Sequence, residues 1–167
     1  MKERLQAWGD TKVIPIAGLF AFNEDGELLL LRRHSEDLGG GQWGTPGGRL
    51  DEGEDAETAI LREIDEETGI KSVKVKRLGV HEIRMPHGAV NMTSFTATIP
   101  RNTPITIDPV EHHAHAWFRV EELLDEDTIL WGIPSILRDF GLFGDFDTDP
   151  TLVDGSSVKL LEKASNS

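Results

Sequence analysis

The sequence predicts a single α/β domain that has one central helix, one C-terminal helix and several β-strands. Apolar, β-rich runs bounded by turn signals recur both before and after the middle of the chain. Residues 55–68 instead carry apolar side chains at helical spacing. The length of 167 residues suits one domain with a full hydrophobic core.

The first half of the chain is predicted to form a β-hairpin, a glycine-rich loop and the central helix. An Asn-Glu-Asp-Gly segment separates two apolar runs, which is typical of a hairpin. Glycines in the loop permit close backbone approach just before the helix. In order, we expect a polar lead-in over 1–11, strands over 13–22 and 27–33 joined by a turn at 23–26, a loop over 39–48, and a helix from Asp55 to Thr68.

The second half is predicted to add three strands and a final helix. In order, we expect a strand over 72–84 with Val73, Val75 and Leu78 facing the core, a turn over 85–88, a strand over 91–99, a loop over 101–109, a strand over 114–120, an acidic helix near 121–124 and a helix over 131–140. The predicted domain covers residues 12–143. Residues 144–167 are predicted to be an acidic C-terminal tail with a short apolar patch at 158–161.

The central helix carries carboxylates where an amphipathic helix should be apolar. At about 100° per residue, Glu63 and Glu67 project into the apolar stripe and Glu66 lies on its edge. Burying ionised carboxylates is costly unless they are compensated, and clustering adds repulsion. Arg62 is expected to point well round the helix and so cannot neutralise all three. A divalent metal can, whereas an ordinary acidic, solvated helix is the alternative. The stripe consists of Ala56, Ala59, Ile60 and Ile64.

The spacing of these residues matches a known motif. The Nudix box is matched at every defined position by Gly48, by Glu54 after five intervening residues, and by the run 62–70 (Arg-Glu-Ile-Asp-Glu-Glu-Thr-Gly-Ile). The chain therefore resembles the Nudix hydrolase family, in its MutT-like form. The box covers residues 48–70, and flanking features extend the resemblance over residues 12–140.

The resemblance implies an α/β/α sandwich with a mixed β-sheet and a metal-dependent hydrolase of nucleoside diphosphates linked to another group. It implies Mg²⁺ or Mn²⁺, with Glu66 or Glu111 taking the proton of a water molecule. Arg62 joins the catalytic set, where it and Glu54 are expected to hold the loop and helix in place, and Gly69 suits the C-terminal cap of the helix. The implied metal ligands are Glu63, Glu66, Glu67, Glu111 and a backbone carbonyl of Gly47 or Gly48.

Four further residues are candidates for substrate binding. Arg32 and Arg33 could contact phosphate, because a guanidinium matches phosphate geometry, but a solvated strand end explains them equally well. Trp43 and Trp117 could stack on a base, as could Trp131, although core packing is the more common role of each.

The segment 111–118 contains a histidine cluster. On a regular strand, Glu111, His113, His115 and Trp117 would share one face, and two such histidines could bind zinc. A supporting or solvated histidine pair is the favoured alternative. The role of His112 with these two histidines is left open.

Composition excludes several classes of protein. A net charge of −13 argues against broad binding to nucleic-acid polymers or anionic membranes. No apolar run reaches about 18 residues, and the first ten residues do not resemble a signal peptide. The absence of cysteine excludes disulfides and thiolate metal sites and is compatible with a cytoplasmic location. A homodimer is left open.

The favoured substrate is a nucleoside triphosphate, intact or damaged, because the loop before the box resembles that of nucleotide-pool-cleaning Nudix enzymes. An NDP-sugar or ADP-ribose is the alternative within the same reaction class. A non-catalytic nucleotide sensor is the alternative from another class, and the intact set of box carboxylates argues against it. A purely structural acidic protein would leave the core-facing glutamates unexplained.

Overall fold

The computed structural model describes residues 13–34, 41–85, 88–124, 129, 132–142 and 157–165. These residues form eight strands, two α-helices and one 3₁₀ helix. In chain order they are β1 Val13–Phe22, β2 Leu28–Arg33, β3 Trp43–Gly44, β4 Gly47–Arg49, α1 Ala56–Thr68, β5 Lys76–Met85, β6 Gly88–Thr98, β7 His112–Phe118, the 3₁₀ helix Val120–Leu124, α2 Ile133–Asp139 and β8 Ser157–Lys163.

The strands form one mixed sheet in the order β3-β2-β1-β6-β5-β8, with β4 also paired to β1 and β7 to β2. Strands β1 and β6 run parallel along their length, from Val13 beside Ala89 to Phe22 beside Thr98. The other paired strands are antiparallel. The predicted mixed sheet is confirmed.

Each face of the sheet is covered by one helix. Side chains on a strand alternate between faces, so β1 contributes to both cores. Leu19 packs in a cluster with Ile60 and Ile64 of α1, and this side is called the α1 face. Phe20 packs in a cluster with Ile136 of α2, and this side is called the α2 face. The result is the α/β/α sandwich that the family resemblance implied.

The first hairpin forms where the turn signal lies. The Asn23 side-chain oxygen accepts hydrogen bonds from the backbone N–H groups of Asp25 at 2.9 Å and Glu27 at 3.0 Å. This side chain therefore closes the turn between β1 and β2, as short polar side chains often do in turns. The second hairpin joins β5 to β6, with Met85 paired to Gly88, and residues 86 and 87 of its predicted turn lie outside the described residues.

The predicted strand over 72–84 begins later, at Lys76, and its three predicted inward side chains do pack against the core, but on two different faces. Val73 and Val75 precede the strand and pack against the α1 face. Leu78 packs against the α2 face instead. A β-bulge between Arg77 and Gly79 also interrupts the regular pairing of β5 with β6 next to Leu78.

The other second-half elements differ from prediction mainly at their ends. Strand β7 begins two residues early, at His112, and the acidic segment forms a 3₁₀ helix. Helix α2, Ile133–Asp139, lies inside the predicted range of 131–140. Trp131 lies outside the described residues.

The apolar patch at 158–161, for which no strand was predicted, lies in β8. This strand pairs antiparallel with β5 at the edge of the sheet. Val158 is buried and Leu160 half-buried on the α2 face, and Arg77 pairs with Glu162 at 2.8 Å across the two strands. Residues 144–156 of the predicted tail, and the lead-in over 1–11, lie outside the described residues.

Candidate metal and phosphate site

Helix α1 is capped at both ends by its own sequence. The Asp55 side chain accepts a hydrogen bond from Thr58 N–H at 2.7 Å, which satisfies a free donor of the first turn. Gly69 has the left-handed conformation, with φ of 76°, and its N–H donates to Asp65 O. The predicted helix and its glycine cap are confirmed, and these caps fix which residues face the sheet.

Two carboxylates of α1 are buried, as the periodicity predicted. Glu63 is 6% exposed and Glu67 is 3% exposed. Their helix neighbours Ile60 and Ile64 pack into the core of the α1 face. Glu66 lies at the edge, with 57% of its side chain exposed. The acidic, solvated helix is therefore excluded for Glu63 and Glu67.

Burial changes the proton affinity of both buried carboxyls. Desolvation raises the pKa of Glu63 above its ordinary value of 4.5. It raises the pKa of Glu67 well above 4.5, with the charge of Glu63 adding to the effect. In the metal-free protein both groups therefore resist ionisation, which a bound cation would reverse.

Arg62 reaches more of the cluster than we expected. Its Nε and Nη2 donate to the two carboxylate oxygens of Glu54, at 2.9 Å and 2.8 Å. Its Nη1 donates to Glu63 at 3.0 Å and to Glu66 at 3.3 Å. The expectation that Arg62 points away was wrong, because a long side chain can fold back over its own helix. Within the described contacts, Arg62 does not reach Glu67.

The two hydrogen bonds from Arg62 to Glu54 connect the loop before helix α1 to the helix itself. Arg62 lowers the pKa of Glu54 to about 2, with a backbone hydrogen bond from Asp51 as the second cause. Arg62 also donates to the carbonyl of Arg49, at the end of β4. These contacts agree with the prediction that Glu54 and Arg62 hold the loop and the helix in place. A contribution of Arg62 to catalysis stays a prediction.

Strand β4 brings the backbone against the buried carboxylates. Gly47 N–H donates to Glu67 Oε1 at 2.8 Å. A β-carbon at Gly48 would lie 2.5 Å from Glu63 Oε1, so only glycine leaves room for that carboxylate. The predicted close approach is confirmed. The predicted role of a Gly47 or Gly48 carbonyl as metal ligand stays a prediction.

We expect Gly48→Ala to weaken metal binding without unfolding the domain. The added methyl group displaces the end of a flexible side chain, Glu63, rather than backbone. A displacement of about 1 Å at a reacting site can reduce activity by about 10²-fold. Thermal melting without metal should change little, while the Mg²⁺ concentration for half-maximal activity should rise. Unchanged metal dependence would show that Glu63 is not a ligand.

A β-bulge in β7 decides which histidine faces the site. Ala114 pairs with Arg32 but His112 pairs with Arg33, so the register shifts by one residue between them. The bulge turns His112 inward, leaving it 5% exposed. His113 is exposed and stacks on His34, with ring centroids 4.4 Å apart.

The prediction that Glu111, His113, His115 and Trp117 share one face is therefore wrong for His113, whereas His115 and Trp117 do share a face. Strand β7 begins only at His112, and the bulge breaks the alternation that the prediction assumed.

His112 joins two carboxylates in one group. One ligand atom from each of Glu67, Glu111 and His112 lies within 4.8 Å of the others. His112 Nε2 lies 3.3 Å from Glu67 Oε2. Burial, with the charge of Arg33 as second cause, lowers the pKa of His112 to about 4, so the ring is neutral near pH 7. Two carboxylates and a neutral imidazole fit a divalent metal ion. Sequence reasoning missed His112.

The two candidate arginines are separated by the sheet. Arg33 faces the same side as His112; its charge partly opposes the rise in the pKa of Glu67 and, after burial, helps to lower the pKa of His112. Its Nε is buried and has no hydrogen-bond partner among the described residues. Arg32 pairs with Trp43, on the opposite face, and its Nε donates to the Gly41 carbonyl at 3.2 Å. The structure therefore brings Arg33, and not Arg32, to the carboxylates.

The candidate tryptophans also lie on opposite faces. Trp43 packs against the α2-face core, with its ring edge-on to Phe118 at 5.1 Å. Trp117 packs against the α1-face core, the side of the carboxylates. They do not form one stacking platform, and only Trp117 lies on the side of the site.

Comparison with known proteins agrees with this geometry. Residues 12–140 match the family model of the NUDIX domain. Over 66 residues the chain is 41% identical to a Bacillus subtilis (strain 168) protein named as a candidate 8-oxo-dGTP diphosphatase, a match that covers 40% of this chain and 42% of that protein. Over 61 residues it is 43% identical to an RNA pyrophosphohydrolase of Gluconobacter oxydans (strain 621H), which covers 36% and 35%.

The matched segment therefore spans less than half the length of these curated relatives. Among solved structures, the MutT protein from Methanosarcina mazei Go1 superimposes with a TM-score of 0.70 at 24% identity, over 79% of this chain and 95% of that one. That likeness shows the fold.

Proposed function

The chain belongs to the Nudix family, and from this premise we propose that it is a divalent-metal-dependent pyrophosphohydrolase. Its substrate would be a nucleoside diphosphate linked to another group, most simply a nucleoside triphosphate. The observation that carries the proposal is the pair of buried carboxylates, Glu63 and Glu67, which face the glycine backbone of β4 instead of solvent.

These residues define where an ion would be held. Glu63, Glu66, Glu67 and Glu111 supply carboxylate oxygens, and a carbonyl of Gly47 or Gly48 completes the set, with Mg²⁺ or Mn²⁺ as the ion. A bound ion would offset charge on the phosphate oxygens and lower the pKa of a bound water molecule. The chain's own task is then to position the water and the phosphate for in-line attack.

Other residues are assigned by position. Glu66 and Glu111 are the candidates to take the proton of the attacking water, since Glu66 is exposed and Glu111 half-buried beside Glu67. Arg33 lies close enough to influence Glu67 and has an unpaired donor, so we assign the phosphate contact to it rather than to Arg32. Trp117 remains the candidate for stacking on a base.

The relatives favour two kinds of substrate. One is named for 8-oxo-dGTP and another for RNA, and both names refer to a pyrophosphate linkage of a nucleotide or RNA. We favour a free nucleotide because a net charge of −13 repels a polymeric anion. NDP-sugars and ADP-ribose remain the alternatives, and a non-catalytic nucleotide sensor remains the alternative from another class.

No helix in the described ranges is both long and apolar enough to cross a membrane. A cytoplasmic location remains a prediction, and a homodimer remains open.

A substrate panel with product analysis tests the proposal. Purified protein with Mg²⁺ or Mn²⁺ should cleave at least one of four classes: canonical or oxidised nucleoside triphosphates, NDP-sugars, ADP-ribose, and triphosphorylated RNA. EDTA should stop the reaction, because the carboxylates alone cannot offset phosphate charge. Chromatography of the products identifies the bond cleaved. If the protein binds nucleotide but cleaves no substrate class with either metal, the proposed enzyme activity is wrong and the nucleotide-sensor function takes its place.

A further inference from the structure

The carboxylate site also contains one imidazole, the side chain of His112. His112 approaches Glu67 Oε2 to 3.3 Å through its Nε2 atom. The adjacent oxygen, Oε1, already accepts the hydrogen bond from Gly47 N–H. The carboxylate of Glu67 is therefore oriented by the backbone on one side and faces an imidazole on the other.

The position of His112 is specified by the backbone. The bulge between the pairs Arg33–His112 and Arg32–Ala114 rotates this one residue toward the α1 face. Its neighbours in the cluster, His113 and His115, remain exposed. Bulges often re-aim a side chain beside a functional site, at the expense of regular pairing.

The hydrogen-bonding capacity of the His112 ring is only partly used. The ring is 95% buried, given its 5% exposure, and its Nδ1 atom has no hydrogen-bond partner among the described residues. A buried, unpartnered polar atom costs free energy, so such atoms need an explanation. The neighbouring Arg33 Nε is likewise buried and unpaired. Nδ1 is the ring nitrogen other than the one that faces Glu67, so Nε2 is the atom placed to bind an ion among the carboxylates.

The distances fit coordination of one ion. Adjacent ligands of a small divalent ion, each about 2.1 Å from it, lie about 3 Å apart. The 3.3 Å separation of His112 Nε2 and Glu67 Oε2 is close to that value, and Glu111 completes a group within 4.8 Å.

We propose that His112 is a direct nitrogen ligand of a metal ion that it shares with Glu67 and Glu111. An ion held only by oxygen would suit Mg²⁺, whereas imidazole binds first-row transition metals better. The site therefore prefers Mn²⁺ or Co²⁺ over Mg²⁺. This inference rests on the proposed function in placing the ion at Glu67, but metal binding can be measured without substrate or turnover.

Pulsed electron paramagnetic resonance of Mn²⁺, bound at less than one equivalent, tests the ligand directly. The substrate-free protein should show nitrogen hyperfine coupling. His112→Gln should abolish it, while the matched control, a His34→Gln, His113→Gln and His115→Gln triple variant, should retain it. Absence of coupling in the parent, its persistence in His112→Gln, or its loss in the triple variant would each overturn the proposal. The parent and triple variant keep the test decisive if His112→Gln fails to fold.

Calorimetric titration gives a second measurement. Since loss of a mere outer-shell partner lowers metal affinity about 10–100-fold, His112→Gln should weaken Mn²⁺ binding at least tenfold. Mg²⁺ binding should weaken less, so the ratio of Mn²⁺ affinity to Mg²⁺ affinity should be smaller in His112→Gln than in the parent. An equal loss for both ions would assign His112 the role of orienting Glu67 and overturn the ligand proposal. Nitrogen coupling without turnover would instead overturn the proposed function alone.

Discussion

Glu67→Gln should lower turnover by about 10²–10³-fold at saturating metal, the scale that follows removal of one charge-stabilising group from an active site. The substitution keeps the size and shape of the side chain and removes its charge. The amide oxygen can still accept the hydrogen bond from Gly47 N–H, so β4 keeps its place. The loss therefore reports on the charge of Glu67 rather than on its packing.

Without metal, the same substitution should leave the protein equally stable or more stable. Desolvation and the charge of Glu63 raise the pKa of Glu67 well above 4.5 in the folded state. A carboxyl with a raised folded pKa contributes stability that is fully present below 4.5 and is lost as the pH rises through the folded pKa. The parent should therefore lose stability over that range more steeply than Glu67→Gln, which cannot ionise there.

Bound metal should make the parent more stable than Glu67→Gln, the reverse of the order expected without metal. An ion that binds only the folded state stabilises it by mass action, and the parent binds more tightly. Thermal melts of both proteins with EDTA and with millimolar Mg²⁺, at pH 5 and pH 8, make the comparison complete. Glu57→Gln is the matched control, because Glu57 is exposed on the same helix. Identical responses of Glu67→Gln and the parent to metal would remove Glu67 from the site.

The orientation of Glu63 and Glu67 could be predicted because it depends on one helix alone. A period of 3.6 residues fixes which residues share a face, and the caps at Asp55 and Gly69 are local signals. Arg62 shows the limit of that reasoning. Periodicity gives the direction of its Cα–Cβ bond, but the guanidinium folds back to Glu54 and Glu63. A long, flexible side chain ends where its partners are, and helical periodicity does not contain that information.

Features that depend on two strands were harder to predict. His112 faces inward because a bulge shifts the register of β7 against β2, so its direction can be predicted only when the pairing of both strands is known. A lone sequence shows only that three histidines lie within residues 112–115. Strand β8 was missed because its inward side chains are only Val158 and Leu160, and its partner β5 lies far away in sequence. By contrast, alternation could have separated Arg32 from Arg33, since adjacent strand residues point to opposite faces.

Glu111→Gln should lower kcat by about 10²-fold or more if Glu111 is a metal ligand or the base, a loss on the scale of acid–base catalysis. The fold should persist, because the backbone places this residue. Glu111 N–H donates to the Asp108 carbonyl at 3.2 Å, and its own carbonyl accepts from His34 N–H at 3.0 Å. Neither bond involves the substituted carboxyl. Glu122→Gln, at an exposed position on the 3₁₀ helix, is the matched control and should behave as the parent.

Metal titration of the activity separates the two roles open to Glu111. If it is a ligand, Glu111→Gln raises the metal concentration needed for half-maximal activity, and excess metal restores part of the rate. If it is the base, kcat stays low at saturating metal. Its place beside Glu67 and His112 makes the ligand role the expected result, with Glu66 then taking the proton. Near-normal rates at every metal concentration would exclude Glu111 from both roles.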